Sequence, residues 1–175
     1  MNKYKQLIEK LLTIKDEMKK IDTEAIWEYY SPGLPCNDAD IDVVEHTLNI
    51  KLDDEYTSFL LCANGWKCFY QAVDLFGTNE LLSEKMEAAK FILDLELEYN
   101  DILFNIKDRL LPIAHSREDK DLFVIVIGEG TNAGKVIWFA GGVIDEFESF
   151  YDFFDSMIEY ERSTFEYTIE NVYKK

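Results

Sequence analysis

Between Cys36 and Trp66 the chain reads CNDADIDVVEHTLNIKLDDEYTSFLLCANGW, and no other stretch restricts the fold as much. Asn37 or Asp38 can cap a helix, because a side-chain oxygen there accepts from a free N–H of the first turn. Ile41, Val44 and Leu48 follow at i, i+3 and i+7, one apolar stripe. Asp53 offers a second cap, and Tyr56, Phe59, Leu60 and Ala63 repeat the pattern at i, i+3, i+4 and i+7. Asn64-Gly65 predicts the stop of that helix, since glycine enters the left-handed conformation without a Cβ clash. Trp66 then opens an aromatic, β-prone run. The spacing predicts helix, helix, stop, strand.

Before this stretch, residues 2–30 read as helical. Tyr4, Leu7, Ile8, Leu11, Leu12, Ile14 (slightly off the stripe), Met18 and Ile21 form one face, with lysines opposite. Thr23-Glu24 predicts a short restart through Ile26, Trp27 and Tyr30, and Ser31-Pro32-Gly33-Leu34-Pro35 ends it. Residues 1–35 are too few for a core of their own, so they are expected as an extension of one unit over residues 36–175.

After the stop, WKCFYQAVDLFG predicts a strand through Val73, closed near Gly77. Thr78 or Asn79 then caps a helix running from about Leu81 to Tyr99, although Leu95, Leu97 and Tyr99 also alternate at strand spacing. Leu111-Pro112-Ile113-Ala114 reads as a short strand at an edge or a strand start, because proline cannot donate to a ladder. DLFVIVIG is a continuous apolar run, expected as a buried central strand; KVIWFA and, after Gly141-Gly142, VIDEF are the next two. Phe150, Phe153, Phe154, Met157 and Ile158 then lie at helical spacing. The fold class this implies is α+β: one domain, a mostly antiparallel twisted sheet packed with N-terminal, intervening and C-terminal helices.

The 18 basic and 35 acidic residues give a net charge of −17. Residues 1–22 hold six lysines and four acids, so residues 23–175 carry twelve basic against thirty-one acidic groups, a net −19. Such a surface repels nucleic acid and anionic membrane and steers basic proteins in; acidity also keeps a protein soluble with no partner at all. No apolar run approaches the roughly 20 residues that span a bilayer, and MNKYKQLIEK lacks the apolar core of a signal peptide. Cys36, Cys62 and Cys68 are odd in number without a CxxC pair, which points to a reduced, cytoplasmic setting.

The search for chemistry is mostly negative. In Gly128-Glu129-Gly130-Thr131-Asn132-Ala133-Gly134-Lys135 the residue five before Gly134 is Glu129 and a strand follows Lys135. A Walker loop needs glycine at the first position and a helix at the second, so a flexible turn is expected instead. His46 and His115 have no metal-ligand neighbours at the right spacing. Cys62 or Cys68 with His115 is the one conceivable nucleophile pair, against which stands the habit of buried cysteine to act as a small hydrophobe. No catalytic, metal or cofactor residue is therefore assigned. The carboxylates sit mostly at helix starts, where they suit the macrodipole; some are free to form an acidic face. Trp66, Tyr70, Asp74, Glu129, Trp138, Asp145 and Glu146 are the candidate partner contacts, Tyr70 and Trp138 being the aromatic anchors.

Two parts of the chain together resemble a known family. The first is the pair of helices with a Tyr three residues before Phe-Leu, then Asn-Gly and an aromatic. The second is LLPIA…DLFVIV…GKVIWF…FESFYDFFDSMI. Both are similar to the SUKH superfamily of bacterial toxin-immunity proteins and fungal Smi/Knr-type cell-wall regulators, over roughly Asn37 to Ile158. Where the family usually has Leu-Pro, this chain has Leu52-Asp53, an equally sound helix start. The resemblance implies a non-enzymatic immunity protein without cofactor. Such a protein binds a cognate toxin with a basic surface, a nuclease being the expected kind, and acts by occlusion. The alternative it implies is a regulatory scaffold for signalling or cell-wall synthesis. The fungal members tend to carry long disordered extensions, and this chain has none.

Overall fold

A computed structural model describes residues 3–98 and 100–173. Helix α1 (Lys3–Ile21) is followed by an extended arm, then α2 (Asp38–Leu48) and α3 (Asp54–Leu60). Strands β1 (Trp66–Tyr70) and β2 (Val73–Leu75) lead into α4 (Thr78–Leu81), α5 (Glu84–Leu97) and α6 (Asp101–Phe104). The remaining strands are β3 (Leu110–Ser116), β4 (Leu122–Val126), β5 (Val136–Phe139) and β6 (Val143–Phe147), and α7 (Phe150–Thr168) closes the fold. The sheet is an antiparallel meander in the order β1-β2-β3-β4-β5-β6, so the α+β architecture is the observed one.

Alternation along the strands assigns the two faces of the sheet. Phe69, Phe123 and Phe147 meet Phe153 of α7 at 5.9, 5.1 and 5.7 Å between ring centroids. Behind α7 lie α1 and α3, where Tyr4, Tyr56 and Phe59 surround Phe150 at 5.0–5.8 Å. Each such ring, when fully buried, contributes about 1.5–3 kcal/mol. The opposite face is covered by α5, whose Met86, Ala89, Leu93 and Leu97 are buried. Among the described residues no helix is long and apolar enough to cross a membrane.

Asn37 and Asp53 cap α2 and α3 as their positions predict, Asn37 in a reciprocal box with Asp40. Other expectations need correction. The segment after Ile21 does not restart a helix: the Asp22 carboxylate accepts from the Ile26 and Trp27 N–H groups, giving the backbone an alternative to helical bonds. The strand expected to run through Val73 is a hairpin, turned at Gln71 with a φ of 47°. The helix expected from Leu81 to Tyr99 is two helices, because Ser83 caps a fresh start and accepts from Lys85 N–H; Tyr99 lies outside the described residues. Pro112 sits inside β3 rather than at its start, but β2 pairs only with Ala114–Ser116, so the missing N–H falls where β3 has no partner on that side.

Asn64-Gly65 does more than end a helix. α3 already stops at Leu60, and Gly65, with φ 81°, turns the chain into β1. The Asn64 side chain then spans to the start of α4. Its Oδ1 accepts from Thr78 N–H at 2.7 Å, and its Nδ2 donates to Thr78 Oγ1 at 2.9 Å. This ties the two helical segments on either side of the first hairpin together.

Candidate partner-binding face

Tyr70 closes β1 on the α7 side of the sheet, with its ring 6.2 Å from Trp138 and 6.4 Å from Tyr160. Trp138 lies between Phe123 on β4 and Asp145 on β6 in the ladder. Its indole stacks on Phe123 at 5.0 Å and meets Tyr160 edge-on at 5.4 Å. Two carboxylates hold the polar rims of this cluster. Trp138 Nε1 donates to Asp121 Oδ1 at 2.7 Å, and Tyr160 OH donates to Asp145 Oδ2 at 3.1 Å. Burial pushes the Asp121 carboxyl above its ordinary range, against the opposing effect of the Trp138 hydrogen bond. The Tyr160 hydroxyl is likewise pushed up, first by burial and then by Asp145.

Beside the cluster, α7, the β1–β2 turn and the arm at Ile26–Trp27 enclose an open cleft of about 490 Å³, lined by Tyr70, Gln71, Tyr160, Thr164 and Tyr167. Tyr160 is 37% and Tyr167 67% exposed, one helical face apart by seven residues, with Glu159, Glu166 and Glu170 exposed around them. Aromatic surface flanked by carboxylates suits a basic protein partner, because Tyr and Arg dominate interface hot spots and cations favour aromatic faces.

Of the seven candidates, Tyr70, Trp138 and Asp145 are brought together here, but Tyr70 and Trp138 are only 8% and 9% exposed, so they form the floor of the cluster rather than the exposed anchors expected of them. Trp66 is not part of any surface: it is 2% exposed and its Nε1 donates to Tyr30 O, holding the arm against β1. Asp74 is also internal, on the α5 side. It accepts from Cys68 N–H at 3.0 Å and pairs with Lys85 at 3.1 Å and Arg117 at 3.5 Å. Both are thereby withdrawn from contact with a partner. Glu146 is exposed on β6, one residue from Asp145 and so aimed at the opposite side. Glu129 is exposed in the β4–β5 loop, at the end of β4 remote from Phe123. Tyr160, Tyr167 and Asp121 were not singled out from the sequence. The signal for the tyrosines was their seven-residue spacing on a helix whose opposite stripe is phenylalanine-rich.

The nucleophile pair considered above does not form around Cys68. Its Sγ meets Arg117 Nη2 at 2.8 Å and Glu28 Oε2 at 3.5 Å. Burial pushes the Cys68 and Cys62 thiols up, away from the thiolate form a nucleophile needs. The Gly128–Lys135 segment joins β4 to β5, and Arg109 Nε donates to Ile127 O beside it. Among the described residues no group of three or more His, Cys, Asp or Glu side chains is placed to hold a metal ion.

A six-strand meander closed by a phenylalanine-rich helix, opened by two capped helices and an Asn-Gly turn, defines a class of small α+β domains. The sequence profile of the SMI1 / KNR4 family (SUKH-1) matches residues 35–160, which is 126 of the 175 residues, and the chain belongs to that family. The family includes toxin-immunity proteins and Knr4-type regulators. No curated protein matches the chain. Helix α1 lies outside the matched span, yet Tyr4, Leu7, Leu11 and Met18 are part of the same buried core.

Proposed function

We propose that the protein is an immunity protein that binds a cognate bacterial polymorphic toxin and blocks it by covering its active surface. The observation that carries this reading is the cleft beside α7: tyrosines exposed among carboxylates, on a chain whose net charge is −17. A nuclease toxin fits best, since its substrate groove must be basic to hold phosphates and an acidic, aromatic surface is its electrostatic complement. Occlusion needs no catalytic group. It needs long-range attraction for a fast encounter and a few buried aromatic anchors for a slow release.

The test is capture of partners on the tagged full chain at low and at high salt, followed by co-expression with whatever basic domain is retained. The expected result is a toxin domain held at low salt, released in part at high salt, and harmless to cells only when this chain is present. Retention of signalling or cell-wall enzymes without any toxin would place the protein with the regulators of its family instead.

A further inference from the structure

The two edges of the sheet are finished differently. Beyond β1, the arm and α1 supply a cover. Gly33 N–H donates to Gly65 O at 2.8 Å, Trp66 Nε1 donates to Tyr30 O at 2.8 Å, and Lys15 Nζ donates to Cys68 O at 3.0 Å. Beyond β6, no strand follows among the described residues. An antiparallel edge strand aims every second N–H and C=O outward, which makes it a template for another strand. Val143 and Ile144 are 41% and 54% exposed on this edge, and the ladder shifts register there, so the regular edge is short.

The geometry points to β6 as the docking edge for an extended segment of a partner protein that carries lysine or arginine between apolar residues, added as a seventh strand. A second copy of this chain is a poor occupant, because β6 against β6 would set Asp145 and Glu146 beside the same carboxylates on a chain of net charge −17. Glu148 is already engaged by Lys135 at 3.0 Å, and Asp145 holds the Tyr160 hydroxyl. Glu146 makes no ion pair among the described residues, and it stands at the middle of the regular edge, where a partner's cation would lie directly across from it. Val143 and Ile144 supply apolar contact at one end; Asp145 Oδ1 already accepts from Glu146 N–H at 2.8 Å, so the edge offers an added strand mainly its outward carbonyls and the Ile144 N–H. This inference rests on the reading of the protein as a binder of a basic partner, and it names how one surface takes hold.

The probe is a blocked seven-residue peptide alternating lysine with valine, added to the isotope-labelled full chain. Two companion peptides have the backbone nitrogens of one or the other alternate set methylated. Slowed amide exchange confined to Val143–Phe147 is the expected result. Methylation of one set weakens binding on the order of tenfold or more, because the hydrogen bonds into the edge are lost, while methylation of the other set is tolerated. Glu146→Lys weakens binding of the unmodified peptide, and added salt does the same. Equal affinity for all three peptides, or unchanged exchange at β6, overturns strand addition. Should the peptide settle on the Tyr160–Tyr167 cleft instead, strand addition fails while the acidic partner face survives. Should it bind nowhere on the chain, both readings fail together.

Discussion

Lys15 Nζ lies 2.7 Å from Glu161 Oε1, and both side chains are shut off from solvent where α1 crosses α7. Lys15 also donates to Cys68 O, so one cation ties together the first helix, the first strand and the last helix. Among the described residues Glu161 Oε2 has no hydrogen-bond partner. Removing the lysine alone leaves a carboxylate buried without its counter-charge, so Lys15→Met is expected to cost about 3–5 kcal/mol in urea unfolding. Lys15→Met with Glu161→Leu is expected to recover most of that loss, since a buried pair replaced by hydrophobic residues is often neutral. A single variant as stable as the parent would show that the pair is not closed off in solution.

His115, half-buried beside Asp74 in the β2–β3 ladder, carries a pH dependence of definite sign. Burial lowers its pKa below the ordinary 6.5, against the opposing pull of Asp74 and Asp121. The unfolded chain therefore takes up a proton first as the pH falls, and stability drops from about pH 6.5 down to the folded-state pKa, then levels off for this group. His115→Gln is expected to flatten that part of the curve. An imidazole titration midpoint at or above 6.5, read by NMR, would contradict the burial argument.

Two glycines separate backbone strain from crowding. Gly65 and Gly141 have nearly the same φ, 81° and 80°. A Cβ on Gly141 would meet nothing within 4 Å, whereas one on Gly65 would come within 2.5 Å of Gly77 N. Gly141→Ala is thus expected to cost about 1 kcal/mol, the penalty for a left-handed alanine, and Gly65→Ala clearly more. Thermal unfolding of the two variants side by side reads the difference, and equal losses would refute the close approach.

Tyr167, the more exposed tyrosine of the cleft, should matter to binding and little to folding. Tyr167→Ala is expected to change stability by less than about 0.5 kcal/mol. If the cleft holds a hot spot, the same change weakens the proposed toxin complex by about 2 kcal/mol or more. Calorimetry on both properties gives the split; a variant that unfolds early would assign the tyrosine to the core instead.

What could be read from the residues alone was whatever depends on neighbours in sequence. The stripes of α1, α2, α3 and α7 and the caps at Asn37 and Asp53 are local, and the structure has them in place. The hairpin at Gln71 escaped because a non-glycine at positive φ carries no turn signature. Ser83 carries a cap signature, but the apolar period runs on across it, so the break between α4 and α5 has no mark in the pattern. The candidate face was half legible. Tyr70, Trp138 and Asp145 stand on three different strands, and only the ladder register decides that they meet Tyr160. Trp66, four residues from Tyr70, is taken inside by the arm, which no local pattern foretells.

The uninterrupted meander has a consequence for the order of assembly. Every strand pairs with the one made just before it, so the sheet can zip up while the chain is still being synthesised. Helix α1 is made before the sheet and its seating is completed late, because Lys15 meets Cys68 O 53 residues downstream but its carboxylate partner Glu161 only 146 residues downstream. Until α7 emerges from the ribosome, the apolar stripe of α1 is only partly seated, on α3 through Tyr4 and Phe59, and the rest of it needs shielding for as long as those 146 residues take to make.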